Sequence, residues 1–190
     1  MLINILIFLA IVIGIVAIIP AFIDPESNVT REIDVNKPVE IVYAVVKNYD
    51  LYKQWNTWSR TDKSAVNEIS GTPGEVGSSW SWSGDTVGTG KLTLEKLVPN
   101  KAIVGQLEFY APFKINAQDI WAFNAIDSNS THIAWTYRTH VRSYMMRYMN
   151  LGIDGMLGPE LSKSLKNLKV FLEKLPSPQK LNSEAEVITY

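Results

Sequence analysis

The chain is predicted to be an α+β protein, a curved antiparallel sheet of about seven strands packed on one long C-terminal helix and preceded by one membrane-spanning helix. Three observations predict this. An apolar run from Leu2 to Ile23 opens the chain. From Ala65 to Val141, alternating segments are separated by clusters of Gly, Pro, Asn and Asp, the pattern of antiparallel strands and turns. From Leu161 to Leu175, leucines recur in steps of four and three, the stripe of an amphipathic helix.

The opening run contains no charged residue, and Asn4 is its one strongly polar side chain. About 22 helical residues cover roughly 33 Å, enough to cross a hydrocarbon core of about 30 Å. Gly14 and Pro20 are compatible with a span, since both residue types occur in membrane helices. A cleaved secretory signal fits poorly, because the positively charged start is missing, the run is too long and Ile19-Pro20-Ala21 is a weak cleavage site. The expectation is an uncleaved anchor at residues 2–23 and a membrane location. Arg31 and Lys37 are mixed with Asp24, Glu26, Glu32 and Asp34, so the charge rule leaves the side of the membrane nearly open, with a slight lean to an extracytoplasmic domain.

After a linker at 24–28, Val29 to Val35 alternates as a strand, with Val29, Arg31, Ile33 and Val35 on one face. Pro38 suits a helix start, and Ile41, Val42, Val45 and Val46 form one apolar helical face. Leu51, Tyr52, Trp55 and Trp58 predict a second short helix over Asp50 to Ser59. Turns at Gly71–Gly77, Ser83–Gly88, Pro99-Asn100, Ala111-Pro112 and Asp127–Ser130 divide the next stretch into about six strands. Gly158-Pro159 is expected to open the last helix, after a Met-rich lead-in over Ser143 to Leu157. Pro176 and Pro178 then end it, leaving a polar tail at 176–190 expected to be disordered. The segment 29–175 has the size of one domain.

Composition narrows the function classes. A net charge of −1 offers no basic footprint for nucleic acid. The chain has no cysteine, which excludes thiolate chemistry and disulfides. His132 and His140 sit eight residues apart on one predicted strand, roughly 26 Å if extended, so they cannot share a metal there. No metal site and no cofactor is expected, and neither a nucleophile elbow nor a phosphate-binding loop is present.

Six Trp, eight Tyr and six Phe supply much rigid apolar surface. Alternation places Trp80 with Trp82, Leu107 with Phe109, Trp121 with Phe123, and Trp135 with Tyr137 on shared strand faces. His132, Thr136, Arg138 and His140 fall on the opposite, solvent-facing side. Asp119 shares the face of Trp121 and Phe123, where a carboxylate is desolvated and its pKa raised unless it is paired, for instance with Arg138 or Arg142. Asp119 and Tyr137 are therefore the weak candidates for acid–base chemistry.

The order of these elements, together with Arg31-Glu32-Ile33, Pro38, Val42-Tyr43, Trp55, Trp58, Gly71-Thr72-Pro73-Gly74, Val76-Gly77, Trp82, Gly88, Gly90, Pro99-Asn100, Pro112-Phe113, Trp135, Gly158-Pro159 and Leu165–Lys169, resembles the SRPBCC or START-like superfamily. Within it, the chain is most similar to membrane-anchored members of the polyketide cyclase/dehydrase or lipid-transport-like type. One departure is Ser164, where many members carry Gly. The resemblance implies a helix-grip fold with an apolar cavity between sheet and terminal helix. It also implies a lipid or other hydrophobic small molecule held by Trp80, Trp82, Leu92, Leu107, Phe109, Trp121, Phe123, Trp135, Tyr137, Leu161 and Leu165. The alternatives are a cyclase or dehydratase working in the same cavity, an interaction module of a membrane complex, and rings that merely fill the core.

Overall fold

The computed structural model describes residues 1–176; the tail read from the sequence falls almost entirely outside them. Helix α1 (Leu2–Ile18) continues as a 3-10 turn over Ile19–Phe22, and the stretch Leu2–Phe22 is long and apolar enough to cross a membrane. None of the α1 side chains is buried by the other described residues.

Strand β1 (Glu26–Val35) begins three residues earlier than its alternation indicates, because Glu26, Ser27 and Asn28 pair with His140, Thr139 and Arg138. The chain then passes through α2 (Val39–Val46), α3 (Tyr52–Trp55) and α4 (Trp58–Thr61) to β2 (Val66–Ser70). Strands β3 (Ser79–Gly84), β4 (Gly88–Val98), β5 (Ala102–Ala111), β6 (Ile115–Ala125) and β7 (Thr131–His140) follow as an antiparallel meander. The seven-stranded sheet runs β1-β7-β6-β5-β4-β3-β2, so α2, α3 and α4 carry the chain from one sheet edge to the other. Register shifts at Thr89/Gly90 and Leu94/Lys96 bend the β4–β5 pair. This curvature makes one sheet face concave.

Helix α5 (Ile153–Lys174) lies against that face, with Leu161, Leu165, Leu168 and Leu172 buried on its inner side. The result is the α+β helix-grip arrangement. Two local expectations change. The predicted helix over Asp50–Ser59 is a 3-10 turn (Tyr49–Leu51), α3 and α4, broken where Asn56 becomes extended. The terminal helix starts at Ile153 rather than at Gly158-Pro159. Buried Ile153 and the Arg31–Asp154 ion pair hold the extra turn, so Pro159 is accommodated inside the helix.

Arg31 shows how α5 is seated. It points inward from β1 and grips Asp154 with both terminal guanidinium nitrogens, at 2.9 and 3.0 Å. A Cβ on Gly158 would overlap that guanidinium, so only glycine admits it beneath the helix. Further along, Lys37 donates to the Leu175 carbonyl (2.6 Å) and Lys169 to the Asp34 carbonyl (2.8 Å).

Candidate functional site: an aromatic cavity under the terminal helix

The alternation of β3, β6 and β7 turns their tryptophans inward, where each indole N–H needs an acceptor once water is excluded. Trp80 donates to Asn67 Oδ1 (2.8 Å) and Trp82 to the Val87 carbonyl (3.3 Å). Trp121 and Trp135, stacked with centroids 4.3 Å apart, donate to Asp119 Oδ2 (2.7 Å) and Oδ1 (2.5 Å). Asp119 is thus held by two indoles rather than by an arginine; Arg138 instead donates to Asn28 on the outer face. Burial pushes the Asp119 carboxyl up to about 6, outweighing the two N–H bonds that favour its charged form. Tyr52 and Tyr137 are also raised, chiefly by burial, and for Tyr52 the nearby Asp119 charge adds to the effect.

Between these rings and α5 lies a cavity of about 80 Å³. Trp80, Trp82, Leu92, Leu107, Asp119, Trp135, Tyr137 and Leu161 line it, as does a second set: Tyr52, Asn56, Thr57, Trp58, Leu157, Glu160 and Ser164. Pockets that enclose small organic ligands usually measure about 300–1,000 Å³. The interior is therefore largely filled by its own side chains, and an organic guest requires rim groups to move.

Four of the residues singled out from the sequence do not line this space. Phe109 packs behind its rim, edge-on to Trp58 (6.2 Å) and Trp82 (5.7 Å). Trp121, Phe123 and Leu165 lie deeper, with Trp121 sandwiched by Trp135 and edge-on to Trp55 (5.9 Å). Sequence reasoning missed the Tyr52–Trp58 wall because it treated that stretch as one helix packed beside α2.

The wall is fastened to α5 by a polar clasp. Ser164 Oγ accepts the Thr57 backbone N–H (3.0 Å) and lies 2.7 Å from the Thr57 hydroxyl, and both residues are buried. Ser164 is also the position at which the sequence resemblance calls for Gly. At the rim, the buried Trp58 indole N–H has no acceptor among the described residues. A guest with a carbonyl, ether or phosphate oxygen there would supply one.

His132 bonds Asp34 (2.6 Å) and His140 lies 3.8 Å from Glu26, both on the outer sheet face. No group of three His, Asp or Glu side chains able to hold a metal occurs among the described residues.

No protein-family model matches the sequence, and no curated protein matches it in sequence. Its fold does match solved structures. Norcoclaurine synthase from Thalictrum flavum, solved with dopamine and hydroxybenzaldehyde, superposes with a TM-score of 0.61 at 14% identity, over 80% of this chain and 90% of that one. An aromatase/cyclase from Streptomyces sp. R1128 gives 0.58 at 14% identity, over 78% and 94%. A Chromobacterium violaceum protein gives 0.58 at 13% identity, over 78% and 99%. The chain shares with these proteins the curved seven-stranded sheet closed by a C-terminal helix.

Proposed function

We propose that the chain is a membrane-tethered domain that takes a lipid or other hydrophobic small molecule into the cavity between its sheet and α5. The observation that carries this reading is the cavity wall itself. Trp58, Trp80, Trp82, Trp135, Leu92, Leu107, Leu157 and Leu161 surround a space whose polar groups are few. The wall is also near the end of α1. Leu157 and Leu161 belong to the first half of α5, and Leu107 and Tyr137 to the ends of β5 and β7 nearest Glu26, where the chain arrives from α1. The fold is shared with an aromatase/cyclase and with norcoclaurine synthase, which was solved with dopamine and hydroxybenzaldehyde, and this supports a small organic guest. The small volume means that uptake displaces rim side chains, foremost Trp58 and Leu157.

All six tryptophans lie after α1, and four line the cavity, which makes their emission a reporter. In nanodiscs built from phospholipid with brominated acyl chains, the full chain is expected to show quenched emission relative to unbrominated discs, and Leu161→Phe is expected to reduce the quenching. Equal emission in both discs would contradict the reading.

A second reading is a cyclase or dehydratase reaction in the same cavity, favoured by the raised carboxyl group of Asp119 on its wall. Asp119 and Tyr137 would be its proton carriers. Turnover retained in Asp119→Asn would remove Asp119 from that role.

A further inference from the structure

The segment between β7 and α5 is fastened to the end of α1. Pro20 has no N–H, and the Ile19 N–H is bonded to the Ile15 carbonyl, so the Val16 carbonyl lacks its usual helical donor. The Tyr148 hydroxyl donates to that carbonyl. Tyr144 donates to the Ala17 carbonyl (2.9 Å), Arg147 to the Pro20 carbonyl (3.3 Å) and Asn150 to the Asp24 carbonyl (2.8 Å). The 3-10 run Met145–Leu151 therefore lies alongside the last turns of the apolar helix, not beyond them. Val16 is six residues before Phe22, roughly 9 Å along the axis.

The same end of the molecule exposes apolar side chains: Phe22 (85%), Leu151 (69%), Phe113 (57%) and Met145 (53%). Beside them is a groove of about 500 Å³ with Lys114, His140 and Arg142 on its walls, together with Ile115 and Met146. Among the described residues, no carboxylate lines it. The groove's permanent positive charges are Lys114 and Arg142, and Glu26 lies 3.8 Å from His140 on its wall.

We propose that this end of the domain, formed by the Met145–Leu151 run and the Ala111–Lys114 turn, is a membrane-lying surface, with Phe113 and Met145 entering the bilayer interface and Lys114 and Arg142 holding anionic lipid headgroups. The inference rests on the reading of α1 as a membrane span. Attachment at the level of Val16 matches the depth of about 5–10 Å at which amphipathic segments lie in the headgroup boundary. Tyrosines at that level are characteristic of membrane interfaces, and basic side chains there attract anionic lipid. The strap leads directly into α5, so this surface would also hold the cavity beside the bilayer.

The absence of native cysteine permits a direct test on the full chain in phosphatidylcholine/phosphatidylglycerol vesicles. Spin labels are placed singly by Ile11→Cys, Phe113→Cys, Met145→Cys and Ile126→Cys; Ile126 follows β6 at the opposite end of the sheet. Relaxation by oxygen against a water-soluble nickel chelate is then compared. Labels at 113 and 145 are expected to favour oxygen at least threefold more than the label at 126. If 113 and 145 match 126 while 11 is lipid-buried, the surface is overturned and the span stands. If 11 is aqueous as well, the span fails and takes this proposal with it. Lys114→Glu combined with Arg142→Glu is expected to shift the 113 label to aqueous values, and an unchanged label would overturn the headgroup role.

Discussion

The Trp135 indole donates its N–H to Asp119 Oδ1 across adjacent strands, while Trp121 from Asp119's own strand takes the second oxygen. The two indoles account for a carboxyl group inside an aromatic core. They also create a pH signature. The folded pKa of about 6 stands above an ordinary value of 3.8, so the native state binds the proton more tightly than the unfolded state. The stability from this proton is fully present below about pH 4 and is lost as the pH rises through about 6. Two pH units correspond to about 3 kcal/mol. The lowered carboxyls of Asp62, Asp127 and Asp154 act at the acid side of that window. Denaturation of the detergent-solubilised chain is expected to show stability falling between pH 4.5 and 7, and Asp119→Asn to flatten the curve. A flat wild-type profile would refute the assignment.

Gly158 and Arg31 are expected to be coupled. Ala is favoured over Gly in a helix interior by about 1 kcal/mol. In the native background, a Cβ at 158 displaces the guanidinium from Asp154 and cancels that gain. Gly158→Ala should therefore be neutral or destabilising alone, but stabilising by about 1 kcal/mol in an Arg31→Ala background. A double-mutant cycle of melting curves measures the difference; additive effects would show that the two residues do not meet.

Removing the Ser164 hydroxyl leaves the buried Thr57 N–H without an acceptor. Ser164→Ala, and equally Ser164→Gly, should cost about 1–3 kcal/mol. Both should speed hydrogen exchange at Thr57 and Trp58 selectively, because the clasp holds the cavity wall against α5. Unchanged exchange there would argue against the clasp.

Gly90 lies under the Trp82 indole, where a Cβ would overlap the ring and stand 2.7 Å from the Glu108 carbonyl oxygen. Gly90→Ala should destabilise the domain by about 1–3 kcal/mol through overpacking. It should also push Trp82 towards the cavity, with a shift in tryptophan emission. A stable variant with unchanged emission would be inconsistent with this packing.

Period-two alternation made the two sheet faces legible: Trp135 and Tyr137 point inward, His132 and Arg138 outward. Leucine spacing likewise located the buried stripe of α5. Alternation assigns a face but no depth under the helix, so Trp80 and Trp121 looked equivalent although only Trp80 borders the cavity. The break at Asn56–Thr57 was illegible because Ser164, which fastens it, lies 107 residues away. The early start of α5 was hidden for a similar reason. Gly158-Pro159 reads as a helix start, while Arg31, whose ion pair with Asp154 holds the preceding turn, sits on the first strand. The strap between Tyr148 and Val16 joins residues 132 positions apart and had no local signal.

The central claim is that the space beneath α5 receives a hydrophobic molecule from the bilayer. The most direct measurement is photocrosslinking of the full chain in nanodiscs containing a phospholipid with a diazirine near the end of one acyl chain, followed by peptide mapping. The account predicts adducts on Leu107, Leu157 or Leu161 in addition to α1. Adducts confined to residues 2–22 would contradict it.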